Sequence, residues 1–394
     1  MSLADPAPII LAPAQPRASV PVAADGGAMM VSRIAAADYV TWTAPFEALN
    51  KTSAAPNPFL SPAVVAVVRA FVPDNDIIIL AAHALQDGER RCVGLWCLRR
   101  VREIWTLGLP ALQAPLVPDF EPLSQPLLAT GCERVVLAAL LGFIAREPSL
   151  PGVVLVHSLP ATMIPLLPAH VSLSFAERWQ RAVLSGAGGP QDSAEQALKA
   201  AMGSSYKRRQ AQERALARLG VVNHATLRGQ ETLAAVEAFI ALEARGWKGR
   251  KGSALANHPH DAAYVRDVVR GLAQDDRIAV DMICLDGEPV AIGLLQEAAG
   301  LTVFWKTAFD ERHARHSPGV LLDMAVTRRL LAEGRPALDS GMMEFTDPDG
   351  QIWPGRLDLC RAALDIRHSL HGRVLRAGKE ARFALRRLKA RFAR

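Results

Sequence analysis

The chain is short of cysteines, short of aromatic residues and without a long apolar run. Its five cysteines, Cys92, Cys97, Cys132, Cys284 and Cys360, are odd in number, widely spaced and never arranged as C-x-x-C. That pattern argues against a disulfide framework and suits free thiols in the cytoplasm. The longest apolar stretch, Val135 to Ala145, falls short of the roughly 20 residues that cross a bilayer. The opening residues are rich in Ala and Pro with Arg17 as their one basic group, unlike the charged start of a secretory signal. Residues 1–28 are read as a disordered leader. There is no G-x-S-x-G elbow, so nothing supports a serine triad. His258-Pro-His260 and His313-x-x-His316 lack carboxylate or Cys partners at useful spacing, so no metal is expected.

What is present is a large core. Half of the 394 residues are hydrophobic and 21% are charged, the balance of a globular protein long enough for two domains. The net charge of +6 is unevenly placed. From Arg373 onward nine basic residues face Glu380 alone, so that segment carries +8 and the remainder −2. A nucleic-acid-coating fold is basic over a whole face, which argues against nucleic acid as a partner. Ala381, Leu385, Leu388 and Phe392 recur every three or four residues in that tail, the pattern of a basic amphipathic helix over 371–394. An anionic membrane surface is one expected partner for it. A helix packed on the body is the other reading.

Along the chain, the pattern predicts a first α/β lobe over 29–184. It reads as a helix at Trp42–Leu49, a helix opened by Ser61-Pro62 and a buried strand at Ile77–Ala82. Paired strands at Cys92–Leu98 and Val101–Leu107, a helix at Gly131–Arg146 and a strand at Gly152–His157 follow. The hinge composition of Ser185 to Pro190 marks a linker over 185–192. A second lobe spans 193–370. It begins with a long polar helix from Ser193 to Leu219, read as a solvated bridge or as a basic face near an anionic ligand. A strand at Val221–Leu227 and helices at Glu231–Arg245 and Asp261–Ala273 come next. Strands at Ile278–Leu285, Pro289–Gln296 and Leu301–Ala308 then form an antiparallel meander, with Asp286-Gly287 as a two-residue hairpin turn.

After the meander comes Glu311-Arg-His-Ala-Arg-His-Ser-Pro-Gly319, then an apolar-striped helix from Val320 to Leu331. A helix start leaves about four backbone N–H groups without internal partners, and the helix dipole favours an anion there. Pro318 sacrifices no hydrogen bond at such a position, and Gly319 lets a bulky anion approach. Arg312 and Arg315 add charge, and His313 and His316 add hydrogen-bonding groups. A diphosphate fits this chemistry, with Arg312, Arg315, His316, Ser317, Pro318, Gly319, Val320 and Leu321 as its candidate site. A plain helix cap is the competing reading.

The run from Leu242 to Leu255, LEARGWKGRKGSAL, resembles the signature loop of the cellulose-biosynthesis acetyltransferases. That family lies within the GNAT acetyltransferase superfamily and is akin to the Fem peptidyltransferases. Trp305 to Asp310, Ser317 to Leu322, Leu338-Asp-Ser-Gly341 and Trp353-Pro-Gly-Arg356 fit the same family. The resemblance covers roughly residues 201–365 and more loosely Asn57 to Pro62. It implies a tandem GNAT-like α/β fold, two lobes each with a mixed, mostly antiparallel sheet flanked by helices. It also implies acetyl-CoA or another acyl-CoA bound at residues 317–322. The usual Arg/Gln-x-x-Gly-x-Gly/Ala loop of GNAT enzymes is replaced here by His313-Ala-Arg-His-Ser-Pro-Gly319.

Transfer of an acyl group from a thioester requires a deprotonated acceptor, aligned reactants and a stabilised thioester oxygen. Asp339, at the end of a short strand, is the expected base, with Glu344 as the alternative. Glu243, Trp247, Lys248, Lys306, Trp353 and Arg356 are the candidate acceptor contacts. For Glu243, a solvated surface position is the competing reading. The leading expectation is an acyl-CoA-dependent N- or O-acyltransferase acting on a small-molecule or glycan-precursor acceptor, with a cell-envelope or polysaccharide role implied by the resemblance alone. The alternatives are a Fem-like transferase using aminoacyl-tRNA and a non-catalytic scaffold with a degenerate GNAT lobe.

Overall fold

A computed structural model describes residues 29–86, 89–102, 108–184, 194–335, 337–342 and 352–368, with the pairs 373–374 and 377–378. The expected leader, the linker, Glu344 and nearly all of the basic tail lie outside the described residues. The chain divides into two compact units. The second unit is Arg181–Leu357, and the first takes the described residues up to Gln180 together with those from Asp358 onward. Residues 358–365, expected in the second lobe, are thus part of the first unit.

The first unit opens with β1 (Met30–Ile34), α1 (Ala36–Tyr39), α2 (Thr43–Thr52) and α3 (Pro62–Val68). Ser61 caps α3 by accepting the Val64 N–H at 3.4 Å, and Pro62 stands where no intrahelical N–H is needed. Then come β2 (Ile77–Gln86), β3 (Glu89–Arg102), β4 (Pro110–Ala114), β5 (Leu127–Leu128), α4 (Glu133–Arg146), β6 (Val153–Pro160) and the start of β7 (Ser172–Leu184). β1 to β4 form an antiparallel meander, and β6 lies parallel to β4. The two strands expected at 92–98 and 101–107 are one long strand as far as Arg102. Leu80, Trp96, Leu98, Val136, Leu140 and Val154 join in one buried cluster between sheet and α4.

The second unit contains α5 (Ala194–Met202), α6 (Ser205–Ala217), β8 (Val222–Leu227), α7 (Glu231–Arg245), α8 (Trp247–Arg250) and α9 (Pro259–Ala273). They are followed by β9 (Ile278–Leu285), β10 (Glu288–Ala298), β11 (Leu301–Phe309), α10 (Pro318–Ala332), β12 (Ala337–Asp339) and the start of β13 (Gly355–Asp365). The long helix expected from Ser193 is broken between α5 and α6, where Gly203 takes a φ of 52°. β8 to β11 are antiparallel, while β12 lies parallel to β11 and antiparallel to residues 183–184 of β7. Asp286 and Gly287 both take positive φ in the β9–β10 turn, the mirror-image turn that matches strand twist.

Consecutive residues of β9 and β10 are buried, so both faces of the sheet need cover. Ala279, Ile283, Ala291 and Leu295 pack with α5, α6 and α10. α7 and α9 pack on the same strands and bury Val236, Phe239, Val265 and Val269. Each such side chain contributes roughly 1.5–3 kcal/mol.

The two units repeat one plan. An antiparallel meander ends in a strand (β4 or β11), and a helix (α4 or α10) leads to a parallel neighbour (β6 or β12). An antiparallel strand from elsewhere in the chain then flanks it: residues 358–365 of β13 beside β6, and residues 183–184 of β7 beside β12.

Candidate active site

The site is built where β11 hands over to α10. Asp310 follows β11, and its side chain accepts the Arg312 N–H at 2.9 Å, which starts a 3₁₀ turn over Glu311–His316. Ser317 follows with a φ of 52°, in the left-handed region, and Pro318 opens the helix. A serine in that conformation costs about 1 kcal/mol or more, and its hydroxyl does not cap the helix. Leu321 is the first residue to close back, its N–H reaching the Ser317 carbonyl at 3.1 Å. The amides of Gly319 and Val320, both half-buried, have no acceptor among the described residues. They form the unsatisfied, positively polarised end expected of a helix start.

The candidate residues around this turn have separate fates. Arg312 folds back on Asp310, with Nη2 to Oδ2 at 2.6 Å. The Asp310 carboxyl is held below its usual range by that hydrogen bond, against a smaller effect of burial. Arg315 is exposed, and its Nε donates to Nε2 of the buried His316 at 2.9 Å. Pro318 and Leu321 are buried in the packing of α10. Gly319 stands beside the Phe309 ring, where an added Cβ would come within 3.4 Å.

Beside this turn β12 ends before β11 does. Of β11, only Leu301–Val303 pair with β12, so β11 outlasts it by the six residues Phe304–Phe309. Opposite β10, Leu294 pairs with Lys306 and Leu295 with Phe304, so β11 holds one extra residue, Trp305. This bulge bends the strand where β12 ends. Gly341 fixes the departure: it takes a φ of 65°, and a Cβ there would overlap the Phe304 carbonyl oxygen. Lys306 lies just past the bulge, half-buried.

Asp339 ends β12 and is buried, but its carboxylate is engaged. Arg181, with its side chain wholly out of solvent, places Nη1 3.3 Å from Oδ2, and the Gly341 N–H donates to Oδ1 at 2.7 Å. Arg181 Nε also donates to the Met342 carbonyl at 2.7 Å. This geometry suits an anchor that fixes the end of β12. Trp353 is likewise a core residue. It packs on Phe304 with ring centroids 5.9 Å apart, and its Nε1 donates to Thr327 at 2.9 Å. Arg356 donates to the Trp353 and Gly355 carbonyls at 2.6 and 3.0 Å.

The glycine-rich segment after α7 is a structured loop. Glu243 is buried, contrary to the expected solvated position. One of its oxygens takes Lys248 Nζ at 2.7 Å and the other the Leu255 N–H at 2.8 Å. Trp247 is 45% exposed, with Lys251 Nζ 5.0 Å from its ring centre. Glu311 ties this loop to the turn before α10: it accepts the Trp247 N–H and pairs with Arg250, both at 2.6 Å. Gly249 passes so close to the Ala244 carbonyl that a Cβ would overlap it.

Two further groups belong to the junction. Arg209 and Gln212 of α6 reach the Ser317 hydroxyl at 3.3 and 3.0 Å. Asp323 lies one turn beyond Gly319, and burial pushes its carboxyl up to about 8, against the pull of Arg209. The charge-rich sequence of α6 was the one signal for Arg209. Nothing in the sequence singled out Asp323.

The matching junction of the first unit is different. Residues 120–128, between β4 and α4, are buried. Ser124 holds them by accepting the Ser158 N–H at 2.9 Å, and Trp96 donates to the Ser124 carbonyl at 3.2 Å. The first turn of α4 carries an acidic residue, Glu133, which disfavours an anion.

Residues 204–347 match the family model described as an acetyltransferase (GNAT) domain. No curated protein sequence matches the chain. A conserved protein of unknown function from Bacteroides thetaiotaomicron is similar in structure at a TM-score of 0.55 and 11% identity, covering 85% of this chain and 99% of its own. FemX is similar at 0.56 and 11%, covering 86% and 97%. The C-terminal domain of a putative lysylphosphatidylglycerol synthetase from Agrobacterium fabrum is similar at 0.51 and 11%, covering 88% and 96%. The chain has a tandem GNAT-like fold, and the second unit, which holds the unsatisfied helix start, contains the segment that matches the GNAT domain.

Proposed function

We propose that the second unit is an acyl-CoA-dependent N- or O-acyltransferase. The observation that carries this reading is the pairing of two features at one place: unsatisfied amides at Gly319 and Val320, and the parting of β11 from β12 beside them. A diphosphate set on the amides directs the attached chain along Phe304–Phe309, where β12 no longer covers the strand. The thioester then lies near the bulge at Trp305. The acceptor enters from the side of Trp247 and Lys248, and Lys306 and Arg356 are its proposed further contacts.

The acceptor's lone pair attacks the thioester carbon, the carbon–sulfur bond breaks, and CoA leaves as a thiol after taking up a proton. Alignment of the two reactants supplies much of the acceleration. Asp339 holds the strand end in this scheme. Glu344 is the carboxylate proposed to receive the acceptor's proton. A cell-envelope or polysaccharide precursor is the proposed acceptor class, on the resemblance of the Leu242–Leu255 segment.

Isothermal titration of the full chain with acetyl-CoA and longer acyl-CoAs tests the reading. Binding that is lost in Gly319→Leu, while the melting temperature holds, supports it. Absence of binding by the unaltered protein to every acyl-CoA overturns it.

A further inference from the structure

Arg181, Arg228, Arg328 and Arg329 of the second unit, all of low exposure, each lie within 3.3 Å of a carboxylate oxygen. Arg209 does not. Its Nη1 meets neutral oxygens, Ser317 Oγ at 3.3 Å and Gln212 Oε1 at 3.0 Å. Its Nε is buried with no partner among the described residues. Asp323 is close enough to couple with it electrostatically but makes no ion pair with it. Burial pulls the guanidinium below its ordinary value, and the neighbouring Arg208 adds to that effect.

A half-buried guanidinium without a counter-charge is costly to keep. This one is held in place. Gln212 bridges the Ser317 hydroxyl at 3.0 Å and the Arg315 carbonyl at 3.4 Å, which docks α6 on the turn. The group it touches, Ser317, stands two residues before Gly319. The planar fork of an arginine meets two phosphate oxygens at once.

We infer that Arg209 is an anion-binding residue that completes the Gly319–Val320 site from α6, and that its ligand is a diphosphate. The identification of that diphosphate with the one in acyl-CoA rests on the function proposed above. Arg209 then sets the affinity for the donor's phosphate end and leaves the rest of the donor unrecognised. Its missing carboxylate is explained, because the counter-charge arrives with the ligand.

Calorimetric titration of the full chain with inorganic pyrophosphate, CoA and pantetheine tests this, using the unaltered protein, R209Q and R209K. Pyrophosphate and CoA affinity should fall at least tenfold in R209Q and less in R209K, with pantetheine binding unchanged. The ligand-free melting temperature of R209Q should be equal to or above that of the unaltered protein, because an uncompensated charge is removed. Equal pyrophosphate affinity in R209Q and the unaltered protein overturns the inference. So does a ligand-free melting temperature that falls sharply in both R209Q and R209K, since Arg209 then serves the fold. Arg209-dependent pyrophosphate binding with no CoA binding keeps the inference and removes the acyl-CoA reading instead.

Discussion

The guanidinium of Arg181 and the carboxylate of Asp339 form a buried pair, 3.3 Å apart and nearly free of solvent. The two residues are 158 positions apart in sequence. The pair sits at the last residue of β12, where its pairing with β11 ends. Removing one partner leaves the other charge buried and uncompensated, which costs about 3–5 kcal/mol. Asp339→Ala should therefore lower stability by that order in urea unfolding, and Arg181→Met combined with Asp339→Leu should lose less than the sum of the single changes. Full stability in Asp339→Ala would remove the anchoring role.

Gly341 lies just beyond the same end of β12. Its φ of 65° and its contact with the Phe304 carbonyl leave no room for a side chain. Gly341→Ala should destabilise by about 1–3 kcal/mol and should weaken acyl-CoA binding in proportion, because the strand it displaces borders the proposed donor channel. Thermal unfolding and calorimetry measure both effects.

Asp323 predicts a dependence on pH. Its carboxyl is raised from an ordinary value of 3.8 to about 8, chiefly by burial. A raised carboxyl favours the protonated form in the fold, so the unfolded chain binds fewer protons between those values. Its contribution is fully present below about pH 4 and is lost progressively as pH climbs through about 8. Asp323→Asn should remove this dependence, with the melting temperature of the variant gaining on that of the unaltered protein from pH 5 to pH 9. Parallel curves would show that Asp323 titrates normally.

Glu311 is the tie between the Trp247–Arg250 turn and the turn before α10. The hydrogen bond from Arg250, helped by the Trp247 N–H, holds its carboxyl below the usual range. Glu311→Ala should leave the fold intact, because exposed ties of this kind contribute little to global stability. It should speed hydrogen exchange at residues 247–254 while sparing α7. Unchanged exchange there would show that Glu243 and Lys248 hold the loop unaided.

Ala299 occupies a left-handed position, with a φ of 53°, in the turn between β10 and β11. Relief of that strain should make Ala299→Gly more stable by up to about 1 kcal/mol, measured by chemical denaturation. A loss of stability would mean that the added freedom of the unfolded glycine outweighs the strain.

Much of the architecture was written locally. Ser61-Pro62, Asp286-Gly287 and the apolar runs of β9 to β11 specify their own backbone, because capping, turn geometry and side-chain alternation act between near neighbours. The helix start at Pro318-Gly319 is legible for the same reason: the orphan amides are a property of any helix end. The sequence alone therefore determined the meander, the helix that follows it and the helix start proposed as an anion site. The tertiary structure decided which charges are used up. Asp339 is taken by Arg181, 158 positions away, whereas Arg209 is left without a carboxylate. Those outcomes depend on long-range pairing across elements that no local pattern records, since a charged side chain looks the same in sequence whether its partner is a distant residue or an absent ligand.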